Sequence, residues 1–440
     1  MTLLTINRSK KNTVSVSPAR RLHGEIELPG DKSIAHRAAI IATLAKGESL
    51  IENFPDAEDP QATVTCLTKL GIEYEYVGKT LWLQSKGINF LEEYDKPLNA
   101  MNSGTTMRLL AGLLSGQTFS TIITGDESLL ERPMRRIIKP LKMMNAYISA
   151  SRRGTGPLKI RGRKNPLKSI RYELPVASAQ VKSAILLAGL YAYGTTTVIE
   201  SVPTRDHTER MLGLPVKNYG GKNYITIDKS FRFPPVRMVI PGDPSTAAFF
   251  IVAALITPDS ELVIKNCSLN PTRIAFLSVL GKMGAKIHVF NKRNPDGEPI
   301  GDIRVYTSAL RGVTVAGSQI PLIIDEIPIL AIAGATSDSY FEVKDARELR
   351  YKESDRIHSV VTTLRAMGIE VKEYDDGFVL RGGRLRGGAT VDSFGDHRVA
   401  MASVIGGLAA DSELTVRNIQ AVSVSFPDFL NTIQSIIHKN

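Results

Sequence analysis

The chain has 440 residues, 43% of them hydrophobic and 22% charged, which is a globular composition too long for one hydrophobic core. No run approaches the roughly 20 apolar residues that span a bilayer, so a membrane protein is excluded from the reading. Lys and Arg outnumber Asp and Glu by 55 to 44, a formal charge of +11, which calls for anionic partners; with only 6% aromatics and no long Lys/Arg tract, small anionic molecules fit better than nucleic acid.

The start, Met1 to Asn12, is polar and basic without the apolar region of a secretory signal, so a cytoplasmic protein is expected. Cys66 and Cys267 are the only cysteines; they are expected as buried thiols, not as a disulfide framework or a zinc cluster. Val14 to Val16 and Glu25 to Leu28 read as strands that no helix precedes. Pro29 and Gly30 then break the pattern before Asp31-Lys32-Ser33-Ile34-Ala35-His36-Arg37, which leads into an apolar helix ending near Leu44. Free N–H groups and the positive dipole end at such a start can hold a phosphate together with Lys32, the Ser33 hydroxyl and Arg37, one turn on. A capped surface helix with solvated charges is the plain alternative.

A repeat organises the rest. Short strand-like runs begin at Gly47, Gly116, Gly194, Asp259, Asp338 and Asp411, spaced 65 to 79 residues apart. Between them, helical patterns lead into a strand, a turn and usually another strand at 69–84, 143–160, 211–227, 282–290 and 366–380. The sixth unit lacks strands of its own, so the N-terminal strands are expected to join its domain and make it discontinuous. Pro29-Gly30 and Pro241-Gly242, each followed by Asp, mark the two crossings. The expected domains are therefore 1–29 with 241–440, and 30–240.

The candidate chemistry collects at helix starts. Asn102 to Arg108 is a small-residue turn in which Gly104 permits close approach of a ligand. Arg132 precedes Pro133 and is read as standing before a Pro-initiated helix. Ser178 and Gln180 open the helix from Val181, where Ser178 serves equally well as a cap. In Thr204-Arg205-Asp206-His207, Arg205 reads as an anion ligand and His207 as structural. Asp325 interrupts an apolar stretch, a costly place for a carboxylate, and is a general-base candidate. Glu353 is a candidate acid or base; Lys352 and Arg356, four apart, would share a helix face, although a surface ion-pair helix has the same pattern. Arg398 stands at a further helix start. Positive groups at helix starts in both halves suggest a cleft that binds polyanions. No P-loop, dinucleotide fingerprint or metal-ligand spacing is present. A basic anion-binding protein without catalysis remains a rival, but it has no use for Asp325 and Glu353 among its cations.

In order, PGDKSIAHR, NSGTTMR, ERP, SAQVKSA, PTRDHTERM, PGDPSTAAFF, IDEIP, RYKESDRI and GDHRVAM resemble the motifs of the EPSP synthase family of enolpyruvyl transferases, from about Val14 to Leu430. The resemblance implies an α/β fold of two domains, the inverse α/β barrel, with three repeated units in each. It also implies a cytoplasmic monomer that uses no metal or organic cofactor and is a target of the herbicide glyphosate. The implied substrates are phosphoenolpyruvate, on the side of the discontinuous domain, and shikimate 3-phosphate, on the side of the inserted one. Lys32, Ser33, Arg37, Ser178, Ala179, Gln180, Arg205, Asp325 and Lys352 would hold the phosphoshikimate. Lys32, Gly104, Arg132, Gln180, Glu353, Arg356 and Arg398 would surround phosphoenolpyruvate, with Asp325, Glu353 and Lys32 as the proton-transfer candidates. Ala179 stands where some members have serine, and Ser423-Val424-Ser425 precede Phe426-Pro427 where many have a lysine. The related UDP-N-acetylglucosamine enolpyruvyl transferases are the alternative. Their first motif carries Lys-Asn where this chain has Lys32-Ser33, and they usually place a cysteine in the loop corresponding to 125–135.

Overall fold

The computed structural model describes residues 4–7 and 12–437. All six repeat runs are strands: Lys46–Glu52, Thr121–Thr124, Thr196–Glu200, Glu261–Ser268, Tyr340–Val343 and Leu414–Arg417. Each occupies the same place in a four-stranded sheet, with an antiparallel hairpin on one side and a parallel edge strand on the other. In the first sheet Lys46–Glu52 pairs antiparallel with Thr80–Lys86, which pairs with Glu73–Val77. The alternation of the strand Thr80–Lys86 turns Leu81, Leu83 and Ser85 inward.

The sixth sheet is completed by the N-terminal strands Leu4–Asn7 and Thr13–Val16, the latter antiparallel to Leu414–Arg417. The next strand, His23–Glu27, lies instead parallel to Glu261–Ser268 in the fourth sheet. Arg237–Val239 does the same for Lys46–Glu52 in the first. At each Pro-Gly crossing, then, the segment just before it supplies a parallel edge strand. These edges, with Leu98–Asn99, Arg171–Glu173, Thr314–Val315 and Thr390–Asp392, are two to five residues long; His23–Glu27 overlaps the run read as a strand at Glu25 to Leu28, and the others, of two or three residues, give no periodic signal in the sequence.

The chain divides into two compact units. One holds Gly30–Ile240 with Asp296–Glu298; the other holds the described residues up to Pro29, Pro241–Pro295 and those from Pro299 onward. The sequence assigns 296–298 to the discontinuous unit. They group with 30–240 because Glu298 pairs with His207 and the Gly297 carbonyl accepts from Arg210.

At the centre of the first unit lie the helices Lys32–Leu44, Gly104–Leu114 and Ala179–Gly189; at the centre of the second lie Pro244–Ile256, Ile327–Ala335 and His397–Leu408. Nearly every residue of these helices is buried, which is what an apolar helix without a polar face requires. Gly112 allows the contact between two of them, since a Cβ there would stand 2.2 Å from the Ala184 carbonyl oxygen. Several helices begin slightly before their apolar stretches, because Asp31, Ser103, Ser178, Asp243, Asp355 and Asp396 cap them with side-chain oxygens. Lys32, Ser33, Gly104, Gln180, Arg356 and Arg398 therefore sit inside first turns. Among the described residues no single helix is long and apolar enough to cross a membrane.

Candidate active site

In the unit of residues 30–240, Lys32 is the first residue of its helix and places Nζ 2.9 Å from Oδ2 of Asp59, in the first turn of the helix Glu58–Lys69. Ser33 and Arg37 lie one turn apart as expected, and Arg37 Nη1 donates to the Ser33 carbonyl at 2.9 Å. Only 4% of Arg37 is exposed, and its guanidinium also donates to Thr208 Oγ1 at 2.7 Å and Ser183 Oγ at 3.0 Å. The sequence reads Arg37 as a phosphate ligand beside Lys32 and Ser33; the structure encloses it. Beneath it His36 is buried against Thr63 Oγ1 at 2.7 Å. Burial, with Lys32 and Arg37 beside it, holds its pKa well below the ordinary value, so it is neutral.

Gly104, Arg108, Arg132 and Gln180 meet at one place. A Cβ on Gly104 would lie 2.7 Å from Arg108 Nη1 and 3.4 Å from Arg132 Nη1. Arg108 Nη1 donates to Gln180 Oε1 at 2.5 Å, and Gln180 Nε2 donates to Thr105 Oγ1 at 2.9 Å. Arg132 is held by the Asn102 carbonyl at 3.1 Å and Asn102 Oδ1 at 2.5 Å. It is not at a helix start. Helix Glu127–Glu131 ends at Arg132, and the next begins only at Arg135, so Arg132 stands at a C-terminal end, where a cation suits the dipole. Ser178 caps the helix of Ala179 and Gln180, accepting from Val181 N at 3.4 Å. Half-buried Arg205 lies in the loop before the helix His207–Met211. His207 is fully buried with Nδ1 2.8 Å from Glu298, in keeping with a structural role.

The second unit holds the carboxylates. Asp325 lies between the helical segments Ile320–Ile323 and Ile327–Ala335. Its Oδ1 is 3.2 Å from Lys352 Nζ and 3.1 Å from Arg356 Nη1, while its backbone carbonyl accepts from Arg398 Nη1 at 3.0 Å. Arg356 also reaches Glu353 Oε2 at 2.5 Å and Asp396 Oδ2 at 2.8 Å. Burial disfavours its charge, but Asp396, Glu353 and Asp325 more than offset that and raise its pKa. Burial likewise works against the Asp396 carboxylate, and Arg356 overcomes it, lowering the Asp396 pKa below its ordinary value. Lys352 and Arg356 do converge, though not along a helix face: Lys352 is in extended backbone before the cap Asp355, and the helix starts at Arg356.

The residues missed in the sequence are the partners. Arg108 and Asp396 lie inside quoted motifs but are given no role by the sequence, and Asp59 has no signal at all. Glu326 is buried, accepts a hydrogen bond from Ser245 Oγ and lies 3.9 Å from Arg398 Nη1; Arg273 joins Asp243 and Ser245 at 3.1 and 3.0 Å. Among the described residues no group of three or more His, Cys, Asp or Glu side chains is arranged to hold a metal ion.

The family model for EPSP synthase (3-phosphoshikimate 1-carboxyvinyltransferase) matches residues 16–433. A 3-phosphoshikimate 1-carboxyvinyltransferase of Salinibacter ruber is 46% identical over 428 residues, covering 96% of this chain and 99% of that protein. One from Desulforudis audaxviator is 47% identical over 429 residues, with the same coverage. Among solved structures, an EPSP synthase from Acinetobacter baumannii superposes with a TM-score of 0.85 at 39% identity, covering 96% of this chain and 98% of that one. An enolpyruvyl transferase from Streptomyces tendae, at 17% identity and a TM-score of 0.77, shares the fold. With its motifs, its repeated sheets and this match along nearly its whole length, the chain belongs to the EPSP synthase family of enolpyruvyl transferases.

Proposed function

We propose that the chain transfers the carboxyvinyl group of phosphoenolpyruvate to the 5-hydroxyl of shikimate 3-phosphate, releasing phosphate. Membership of the family carries this reading, and the convergence of Lys352, Arg356 and Arg398 on Asp325 supports it. The alternative acceptor, UDP-N-acetylglucosamine, has no support from the relatives' names.

The reaction is an addition followed by an elimination. The 5-hydroxyl oxygen bonds to C2 of the enol and loses its proton, while C3 gains one, giving a tetrahedral ketal phosphate. C3 then loses a proton, the C2–O bond to phosphate breaks, and the enol ether remains. Asp325 is assigned to accept the hydroxyl proton, and Glu353 and Lys32 to handle the proton at C3. Arg132, Arg356 and Arg398, with Lys32, balance the carboxylate and phosphate of phosphoenolpyruvate, whose charge grows as phosphate departs. Gly104 leaves room beside the guanidinium groups of Arg108 and Arg132, and Gln180 orients both ligands. Ser33, Arg37, Ser178, Arg205 and Lys352 are assigned to the phosphoshikimate, with Ala179 contributing its backbone.

A cytoplasmic location and a monomeric state belong to the same proposal; Cys66 and Cys267 are buried thiols not joined in a disulfide, which suits a reducing compartment. Phosphate release with phosphoenolpyruvate and shikimate 3-phosphate, against UDP-N-acetylglucosamine as acceptor, tests the function. Turnover with the second acceptor and none with the first would overturn it.

A further inference from the structure

Below the helix start of Ser178 and Gln180 lies a buried charge cluster that the proposed reaction does not use. Lys182, with no exposed surface, places Nζ 2.6 Å from Glu209 Oε1 and 2.9 Å from Glu200 Oε1. Glu200 ends the strand Thr196–Glu200 and also accepts from Thr204 Oγ1 at 2.5 Å; Glu209 lies in the helix His207–Met211. One ammonium thus joins a helix, a strand and a second helix across the segment 201–206 that carries Arg205. Glu209 Oε2 has no hydrogen-bond partner among the described residues, and burial pushes the Glu209 pKa up against the pull of Lys182. Two carboxylates on one buried cation are a poor way to gain stability, since apolar residues of similar volume commonly do as well or better.

The neighbouring residues supply a reason. Ser183, next to Lys182, and Thr208, next to Glu209, lie 2.6 Å apart, and both receive the guanidinium of Arg37. A shift of the helix His207–Met211 against Ala179–Gly189 would therefore displace Arg37, Arg205 and the start at 178–180 relative to one another. Those are the groups assigned to the phosphorylated sugar acid. We infer that Lys182 is a positioning residue for that ligand: by pinning Glu200 and Glu209 it sets the spacing of Ser178, Gln180, Arg205 and Arg37, and so governs affinity for shikimate 3-phosphate without entering the chemistry at phosphoenolpyruvate. The inference rests on the assignment of these residues under the proposed function.

Steady-state kinetics on the full chain test it with three variants. Lys182→Met removes the staple, a triple variant with Lys182→Met, Glu200→Gln and Glu209→Gln removes it without leaving buried carboxylates, and Glu209→Gln keeps an acceptor for Nζ. The first two are expected to raise KM for shikimate 3-phosphate by ~10- to 100-fold, with kcat and KM for phosphoenolpyruvate within about threefold of the parent. Glu209→Gln is expected to stay within about threefold in all three constants. Where Lys182→Met alone fails to fold, the triple variant gives the answer. A folded triple variant with unchanged KM for shikimate 3-phosphate, or with a lower kcat at unchanged KM, would overturn the inference. Failure of the functional reading is distinct, because the parent protein itself would then release no phosphate.

Discussion

Arg356 and Asp325 form an ion pair with Nη1 3.1 Å from Oδ1, although the arginine side chain is only 1% exposed. The same guanidinium spans Glu353 and Asp396, so a single cation orders three carboxylates. Removing any one of them alters the others, and this sets how the site responds to mutation.

Asp325→Asn keeps the shape of the side chain and some hydrogen bonding to Lys352 and Arg356 but cannot take a proton. Turnover is expected to fall by the ~10²- to 10⁴-fold of a lost general base, while phosphoshikimate affinity, read by titration calorimetry on the same protein, changes much less. Turnover within a few-fold of the parent with collapsed affinity would make Asp325 a binding group and pass the base role to Glu353 or Lys32.

Lys32→Met should abolish nearly all activity while the protein stays folded. At ~4 Å and an effective dielectric of ~20, each lost charge contact is worth up to about 4 kcal/mol before desolvation, close to three decades in kcat/KM. Lys32 begins a helix that Asp31 caps by accepting from Ile34 N, and it lies at the helix start, not within the core, so the melting temperature should move little. Near-parental turnover would remove Lys32 from the site.

Gly104→Ala puts a methyl group 2.7 Å from Arg108 Nη1 and 3.4 Å from Arg132 Nη1. The nearer atom is the end of a flexible side chain, so the fold should survive, but Arg108 must give way and with it the contact to Gln180. KM for phosphoenolpyruvate is expected to rise, and inhibition by glyphosate, taken to occupy the same place, to weaken through the clash. Unchanged inhibition constants would show that Gly104 does not line the pocket.

Asp396 gives a pH prediction. Its folded pKa lies below the ordinary 3.8, so its contribution to stability is complete above about 3.8 and disappears as pH falls through the lower folded value. Melting temperature should therefore be insensitive to this group near neutrality and decline only in acid. Asp396→Asn should remove that acid-side component and, by breaking a fully buried pair, cost roughly 3–5 kcal/mol at neutral pH. Thermal unfolding of both proteins from pH 3 to pH 8 provides the comparison; equal stability at neutral pH would mean that Glu353 and Asp325 alone satisfy Arg356.

The six-fold repeat, the hairpins and the helix starts were legible in the sequence because each is a local pattern: alternating apolar residues, a turn, and a small or charged group before an apolar run. The same local record held Lys32, Gly104, Gln180, Asp325 and Arg356 as candidates. Apart from His23–Glu27, the short parallel edge strands were not legible, because two or three residues carry no period and their partners lie far away in the chain, as with Arg237–Val239 beside Lys46–Glu52. Arg132 was misread for a related reason: Pro133 is a local signal for a helix start, whereas the path of the chain there follows from an isolated bridge to Thr155. What only the tertiary structure decided is the pairing of charges. Lys32 with Asp59, Arg356 with Asp396 and Lys182 with Glu200 and Glu209 join groups 18 to 40 residues apart, and a buried charge must find its partner wherever packing brings one, at a distance that no sequence period records.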